Sequence, residues 1–164
     1  MKRWVLFLSS VLLMQWAAAQ NIQKPEPPYK RFPSVPPIQL QQLDSSMLTK
    51  DKLKKQPLIL MFFSPTCDHC QHQIEEMVKN MDKLSQYQIV LASYSPKEEM
   101  EDFYKDYKLA NYSNIKMGRD IKYLLPPFYD IRNLPYLALY NKKGDLITTF
   151  EGNVKVAKLL EALK

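Results

Sequence analysis

An α/β fold is predicted, with a central sheet covered on both faces by helices. Residues 58–63 (LILMFF) and 89–94 (IVLASY) are nearly continuous apolar runs, the pattern of strands buried on both sides. Between and after them, apolar residues recur at helical spacing. Strand-like and helix-like segments therefore alternate along the chain, without an internal repeat.

Residues 20–37 are expected to be an extended leader, because six of the twelve prolines fall within residues 25–37, too many for a helix or a central strand. Ile38, Leu40 and Leu43 alternate partly with Gln, which predicts a short edge strand. Residues 49–54 then have room for one helical turn ahead of Pro57. After the buried strand at 58–63, Cys70, Ile74, Met77, Val78, Met81 and Leu84 share one helical face, with Glu75, Glu76, Lys79 and Asp82 between them. Behind the second buried strand, Ser95-Pro96-Lys97-Glu98 predicts an N-cap Ser, a Pro at the first helical position and an acid three after the cap. Met100, Phe103, Tyr104 and Tyr107 supply the apolar stripe of that helix. A strand is expected at 111–117 and a short helix at 120–125, closed by Pro126-Pro127. Residues 136–140 and 146–150 read as strands joined by a turn at 141–144, where Gly144 is free to take a positive φ. Val156, Leu159, Leu160 and Leu163 complete the chain as an amphipathic helix. Core packing accounts for Met77, Met81, Tyr104 and Tyr107, whereas Phe128 and Tyr129, just ahead of Leu134-Pro135, are candidates to line a substrate groove.

The N-terminus sets the compartment. Lys2 and Arg3 precede an apolar run, and Ala17, Ala18 and Ala19 offer a small-residue cleavage pattern before Gln20, the pattern of a secretory signal peptide over residues 1–19. Residues 4–19 contain Ser9, Ser10 and Gln15 and are shorter than the ~20 residues of a membrane span. No Cys stands near the cleavage site, so a lipoprotein is not expected. The sequence thus reads as residues 1–19 signal, 20–37 leader and 38–164 one domain, exported to an oxidising compartment. Removing residues 1–19 takes away two cations and no acid, so 23 basic against 17 acidic residues become 21 against 17, a net charge of +4. The lysines are dispersed among acids with no aromatic-interleaved basic stripe, which argues against nucleic acid as a partner. With 3 Gly in 164 residues there is no Gly-rich phosphate cradle either.

The two cysteines carry the chemistry. Cys67 and Cys70 close too short a loop for a disulfide between them to add much stability through chain entropy, so reactivity is the better reason for the pair. They stand in Ser64-Pro65-Thr66-Cys67-Asp68-His69-Cys70, at the junction of a buried strand and an amphipathic helix. At positions i and i+3 the thiols share a helix face, and the free N–H groups of the first turn favour a thiolate on Cys67. Cys67 is therefore expected to be the nucleophile and Cys70 the resolving thiol of a thiol–disulfide exchange, with no cofactor beyond the Cys67–Cys70 disulfide itself. His69, between them, is expected to tune the acidity of Cys67, while Asp68 acts in the opposite sense.

LILMFFSPTCDHC followed by an amphipathic helix, with IRNLPYLALYNKKGDLITTFEG near the C-terminus, resembles the thioredoxin superfamily, in particular its exported TlpA-like thiol–disulfide oxidoreductases. The resemblance runs from about Pro36 to the C-terminus. It implies a thioredoxin-like fold, a central mixed sheet flanked by helices, with a TlpA-like central insertion between Val90 and Asp130. It also implies a cis peptide at Leu134-Pro135 facing the cysteines, with the backbone of Leu134 pairing to an extended substrate segment. The implied partners are protein thiols and disulfides together with a membrane redox partner, the implied role is redox homeostasis in the periplasm, and the chain is expected to be a monomer. Three positions depart from the family pattern. Thr66 stands where many members have Trp, Met61 where thioredoxins bury an acid, and Gln73 where TlpA-like reductases often have Glu. Glu75, Glu76, His72 or water remain to move protons for Cys70.

Two other classes compete. Cys67, His69, Cys70 and His72 put four soft or borderline ligands within six residues, so copper or zinc binding is the rival chemistry. A redox-silent binding protein is the other. Gln71 after Cys70 excludes a haem attachment motif, and Leu60 stands where a peroxidase motif needs Pro. Direction of electron flow stays open: TlpA-like features favour a reductant, whereas His before the second Cys resembles strong oxidants such as DsbA.

Overall fold

The computed structural model describes residues 25–164. The signal peptide expected at 1–19 and the first residues of the leader lie outside them. Seven strands form one mixed sheet: β1 (Gln39–Gln42), β2 (Met47–Thr49), β3 (Leu58–Phe62), β4 (Gln88–Ser93), β5 (Ile115–Asp120), β6 (Tyr136–Tyr140) and β7 (Leu146–Glu151), in the order β2-β1-β5-β4-β3-β6-β7. β3, β4 and β5 run parallel, so their C-terminal ends share one edge of the sheet, while β6 lies antiparallel on the other side of β3.

β3 and β4 are buried at every position, as their continuous apolar runs predict. Alternation along them feeds two cores. Ile59, Met61, Ile89 and Leu91 face one layer, closed by the helices α2 (Asp68–Lys79), α3 (Met81–Leu84), α4 (Lys97–Asp106) and α6 (Val156–Ala162). Leu58, Leu60, Val90 and Ala92 face the other, with α5 (Leu125–Tyr129) and the single turn α1 (Pro28–Arg31). Each fully buried Leu or Ile there contributes about 1.5–3 kcal/mol of transfer free energy. Gly118 lets β5 lie against β1, since a Cβ at that position would stand 2.8 Å from the Leu40 Cβ. No helix among the described residues is long and apolar enough to cross a membrane.

Several local expectations are corrected. The Pro-rich stretch is not extended throughout: Pro28–Arg31 forms a helical turn with Pro in its first positions, where no N–H is needed. Val35 is buried, its N–H donates to the Gly144 carbonyl at 3.0 Å, and Ser34 bridges to Asp145, so the stretch is bound to the β6–β7 turn. The strand near residue 40 is not the sheet edge, because Met47–Thr49 folds back on it. Ser95 is not the cap of α4: Pro96 takes that position without a side-chain bond, and the Ser95 N–H donates to Ser93 Oγ. The strand expected at 111–117 lies at Ile115–Asp120, and the helix expected at 120–125 lies at Leu125–Tyr129, with Pro126 and Pro127 inside it rather than ending it. The long helix after the cysteines breaks at Asn80, whose Nδ2 donates to the Glu76 carbonyl.

Candidate active site

The chain leaves β3, which lies between β4 and β6, and turns through Ser64-Pro65-Thr66 into α2. Gln71 Nε2 donates to the Pro65 carbonyl at 2.9 Å, and the Ser64 and Thr66 hydroxyls lie 3.2 Å apart, which pins the turn. Cys67 is the N-cap residue of α2, and its Sγ accepts the Cys70 N–H at 3.4 Å. The same N–H also donates to the Cys67 carbonyl at 2.9 Å, so the sulfur shares a donor of the helix's first turn. Cys67 is half-buried and Cys70 is fully buried, and both are free thiols. Burial pushes the Cys70 thiol far up from its ordinary value, and hydrogen bonding to Cys67 and the charge there push it further. The pair is therefore asymmetric: one sulfur meets solvent at a helix N-terminus, and the other is held protonated beneath it.

Across from the cysteines, the Leu134–Pro135 peptide bond is cis. The Pro135 carbonyl accepts the Gly152 N–H at 2.8 Å, tying the start of β6 to the end of β7. Among the described residues neither the N–H nor the carbonyl of Leu134 has a hydrogen-bond partner. An open groove of about 540 Å³ lies here, lined by Cys67, His69, Arg132, Leu134, Glu151 and Asn153 among others. Cys67 and Leu134 are thus brought to one groove from segments 67 residues apart, with Cys70 beneath.

His69 is exposed and held by Asn153 rather than by a thiol: its Nδ1 lies 3.1 Å from Asn153 Oδ1, and Asn153 Nδ2 donates to the His69 carbonyl at 2.6 Å. Asn153, Glu151, Arg132 and Asn133 escaped the sequence reading. The turn signal of Gly152-Asn153 after a strand was available, but nothing local says that this turn meets α2. Gln73, at the position expected to lack an acid, is buried and bonds the backbone of Val154 instead. His72, Glu75 and Glu76 line a different cleft with Lys79 and residues 153–155, and Glu76 Oε1 accepts the Val156 N–H at the start of α6. Those three are accordingly not placed in the groove that holds Cys67. Tyr129 is also not in that groove: it is buried, with its hydroxyl paired to that of Tyr140. The ligands of the rival metal reading do not converge, for no three His, Cys, Asp or Glu side chains among the described residues are grouped to hold an ion.

A family model described as a thioredoxin-like domain matches residues 45–164. No curated sequence matches the chain. Among solved structures, a secreted Mycobacterium tuberculosis disulfide oxidoreductase homologous to E. coli DsbE superposes with a TM-score of 0.64 at 16% identity, over 77% of this chain and 93% of that one. StoA from Bacillus subtilis gives 0.62 at 23% identity, over 79% and 98%. MTB DsbF, solved in mixed oxidised and reduced forms, gives 0.66 at 16% identity, over 79% and 96%.

Proposed function

The chain belongs to the thioredoxin-like domain family, and from that premise we propose that it is a thiol–disulfide oxidoreductase acting on disulfides of exported polypeptides. The observation that carries the reading is the asymmetric pair: solvent-reachable Cys67 capping α2, with buried Cys70 donating its N–H to the Cys67 sulfur. In the reducing direction the Cys67 thiolate attacks one sulfur of a substrate disulfide. The mixed disulfide forms, and the first substrate sulfur leaves as a thiolate that takes up a proton. Cys70 then gives up its proton, and its thiolate attacks Cys67 Sγ, closing the Cys67–Cys70 disulfide and releasing the second substrate thiol. Two electrons pass from the protein dithiol to the substrate, and an external dithiol restores them. The oxidising direction is the same sequence reversed.

Leu134 lines the opposite side of the groove, ahead of the buried Pro135, and its unpaired N–H and carbonyl suit an extended substrate backbone added as a short strand. His69, fixed by Asn153, tunes the Cys67 end of the helix from the groove's rim. The N-terminal Lys2-Arg3 and the apolar stretch up to Ala19 support export to the periplasm, where a membrane-held dithiol is the natural electron donor. The deciding experiment is a redox titration of the mature protein, following Cys67 and Cys70 by alkylation with Cys67→Ser as control. A reversible two-electron couple is expected, near about −270 mV for a reductant or about −120 mV for an oxidant. A pair that never cycles overturns the proposal.

A further inference from the structure

Cys67 follows β3 at the N-cap of α2, and the groove at Leu134 lies on its β6–β7 side. On the other side, the C-terminal ends of the parallel strands β4 and β5 carry Tyr94, Ile121 and Tyr123, which are 47%, 45% and 58% exposed. These are three of the five large hydrophobic side chains left exposed among the described residues. The two tyrosines are in contact. Tyr123 meets Tyr94 edge-on with ring centroids 5.7 Å apart, and Tyr94 leans on Phe62, the last residue of β3, at 5.8 Å. The Phe63 N–H donates to the Ala92 carbonyl at 3.0 Å, a link two residues before Tyr94 and four before Cys67.

The display is built rather than accidental. Tyr123 holds a φ of 49°, a left-handed conformation that a bulky aromatic residue seldom adopts. It is locked there: its N–H donates to the Asp120 carbonyl, and the buried Asp120 carboxylate accepts the Leu125 N–H at 2.8 Å. Arg119 Nε donates to the Tyr94 carbonyl at 3.3 Å, joining the two strand ends. Arg119 and Lys122 are exposed, and no carboxylate among the described residues forms a salt bridge with either. The result is an aromatic shelf with a cationic border, at the same edge of the sheet from which the chain turns towards the nucleophile.

We propose that Tyr94, Ile121 and Tyr123 dock the polypeptide whose disulfide Cys67 attacks, taking an aromatic or aliphatic side chain next to an acidic residue within a few positions of the substrate cysteine. This rests on the oxidoreductase reading and adds a sequence preference to it. The shared edge argues for the reacting polypeptide as the occupant, and the unpaired cations argue for acid in it.

The test uses disulfide-linked peptides carrying Trp-Asp on either side of their cysteine, an Ala-Ala counterpart, and hydroxyethyl disulfide. The readout is each peptide's rate relative to hydroxyethyl disulfide. The mature protein is expected to prefer one Trp-Asp peptide over Ala-Ala by about tenfold. Tyr94→Ala and Tyr123→Gly each cut that preference to below about twofold, while Tyr94→Phe and Tyr123→Phe keep it. Absence of any preference, or a preference that survives the double variant Tyr94→Ala/Tyr123→Gly with its far-UV circular dichroism intact, overturns the proposal. So does a concentration-dependent dimer that the double variant abolishes, which would assign the shelf to a second copy of the chain. If even hydroxyethyl disulfide is not exchanged, the oxidoreductase reading fails. The shelf is then judged by fluorescence binding of the Trp-Asp peptides with Ser in place of Cys, which the double variant must weaken at least about tenfold.

Discussion

Gln73 on α2 and Val154 on the loop before α6 exchange two hydrogen bonds: Gln73 Nε2 donates to the Val154 carbonyl at 3.0 Å, and the Val154 N–H donates to Gln73 Oε1 at 2.7 Å. The amide works as a backbone substitute, closing a ring with a residue 81 positions away. One turn earlier the roles are reversed, with the Asn153 amide of the loop meeting the His69 ring Nδ1 and the His69 carbonyl, so the helix that carries the cysteines is fastened twice to the loop that lines the groove.

That pairing needs one donor and one acceptor on the same side chain. Gln73→Glu removes the donor and sets a buried carboxylate oxygen against the Val154 carbonyl, so the variant is expected to lose about 2–3 kcal/mol of stability at pH 7. Protonation restores an O–H donor, so the loss shrinks as pH falls towards 5. Urea unfolding at the two pH values measures both effects, and an equal loss at each would refute the account.

The cysteines should react very unequally. Cys67 is reachable and Cys70 is both fully buried and held protonated by that burial. Iodoacetamide at pH 7 is expected to label Cys67 at least about 100-fold faster than Cys70 in the reduced native protein, and both equally after unfolding. Peptide mass mapping reads the ratio. Cys70→Ser should accumulate mixed disulfides on Cys67, since nothing beneath it can resolve them.

Alkaline pH should destabilise the reduced protein in two stages. Cys70 has a folded value raised above that of the unfolded thiol, so the unfolded state releases its proton first and stability falls as pH rises past about 8.5. Tyr129, Tyr136 and Tyr140 are raised by burial as well, which adds a steeper loss above about pH 10. Below the unfolded thiol's value the contribution is fully present. A melting series from pH 7 to 11 tests this, and Cys70→Ala should flatten the first stage while leaving the second.

Gly118 is the close-approach point of the sheet. Gly118→Ala brings a methyl to 2.8 Å from the Leu40 Cβ and 3.1 Å from the Gln41 carbonyl oxygen, neither of which is the loose end of a side chain. The expected cost is about 1–3 kcal/mol, read as a lower melting temperature. No loss would mean that β1 can slide on β5 freely.

Tyr94, read as the end of the second buried strand, lies beyond it and is exposed, but residues 58–62 and 89–93 were legible as buried strands because burial on both faces demands a nearly unbroken apolar run, a demand written locally. The same holds for the stripe of Ile74, Met77 and Met81 beside Cys70, for the Gly144 turn between its two strands, and for the reactive pair, whose spacing of three is a property of four consecutive residues. Where the sequence misled, the competing influence came from afar. Met47–Thr49 is three residues long, too short to show a period, and becomes a strand only because Gln39–Gln42 lies beside it. Val35 is buried because the Gly144 turn reaches back to it. Gln73 looked like a missing acid and proved to be a fastening to Val154. A hydrogen-bonding side chain at one position is compatible with many partners, and only the packed sheet selects among them, by bringing residues some eighty positions apart within 3 Å.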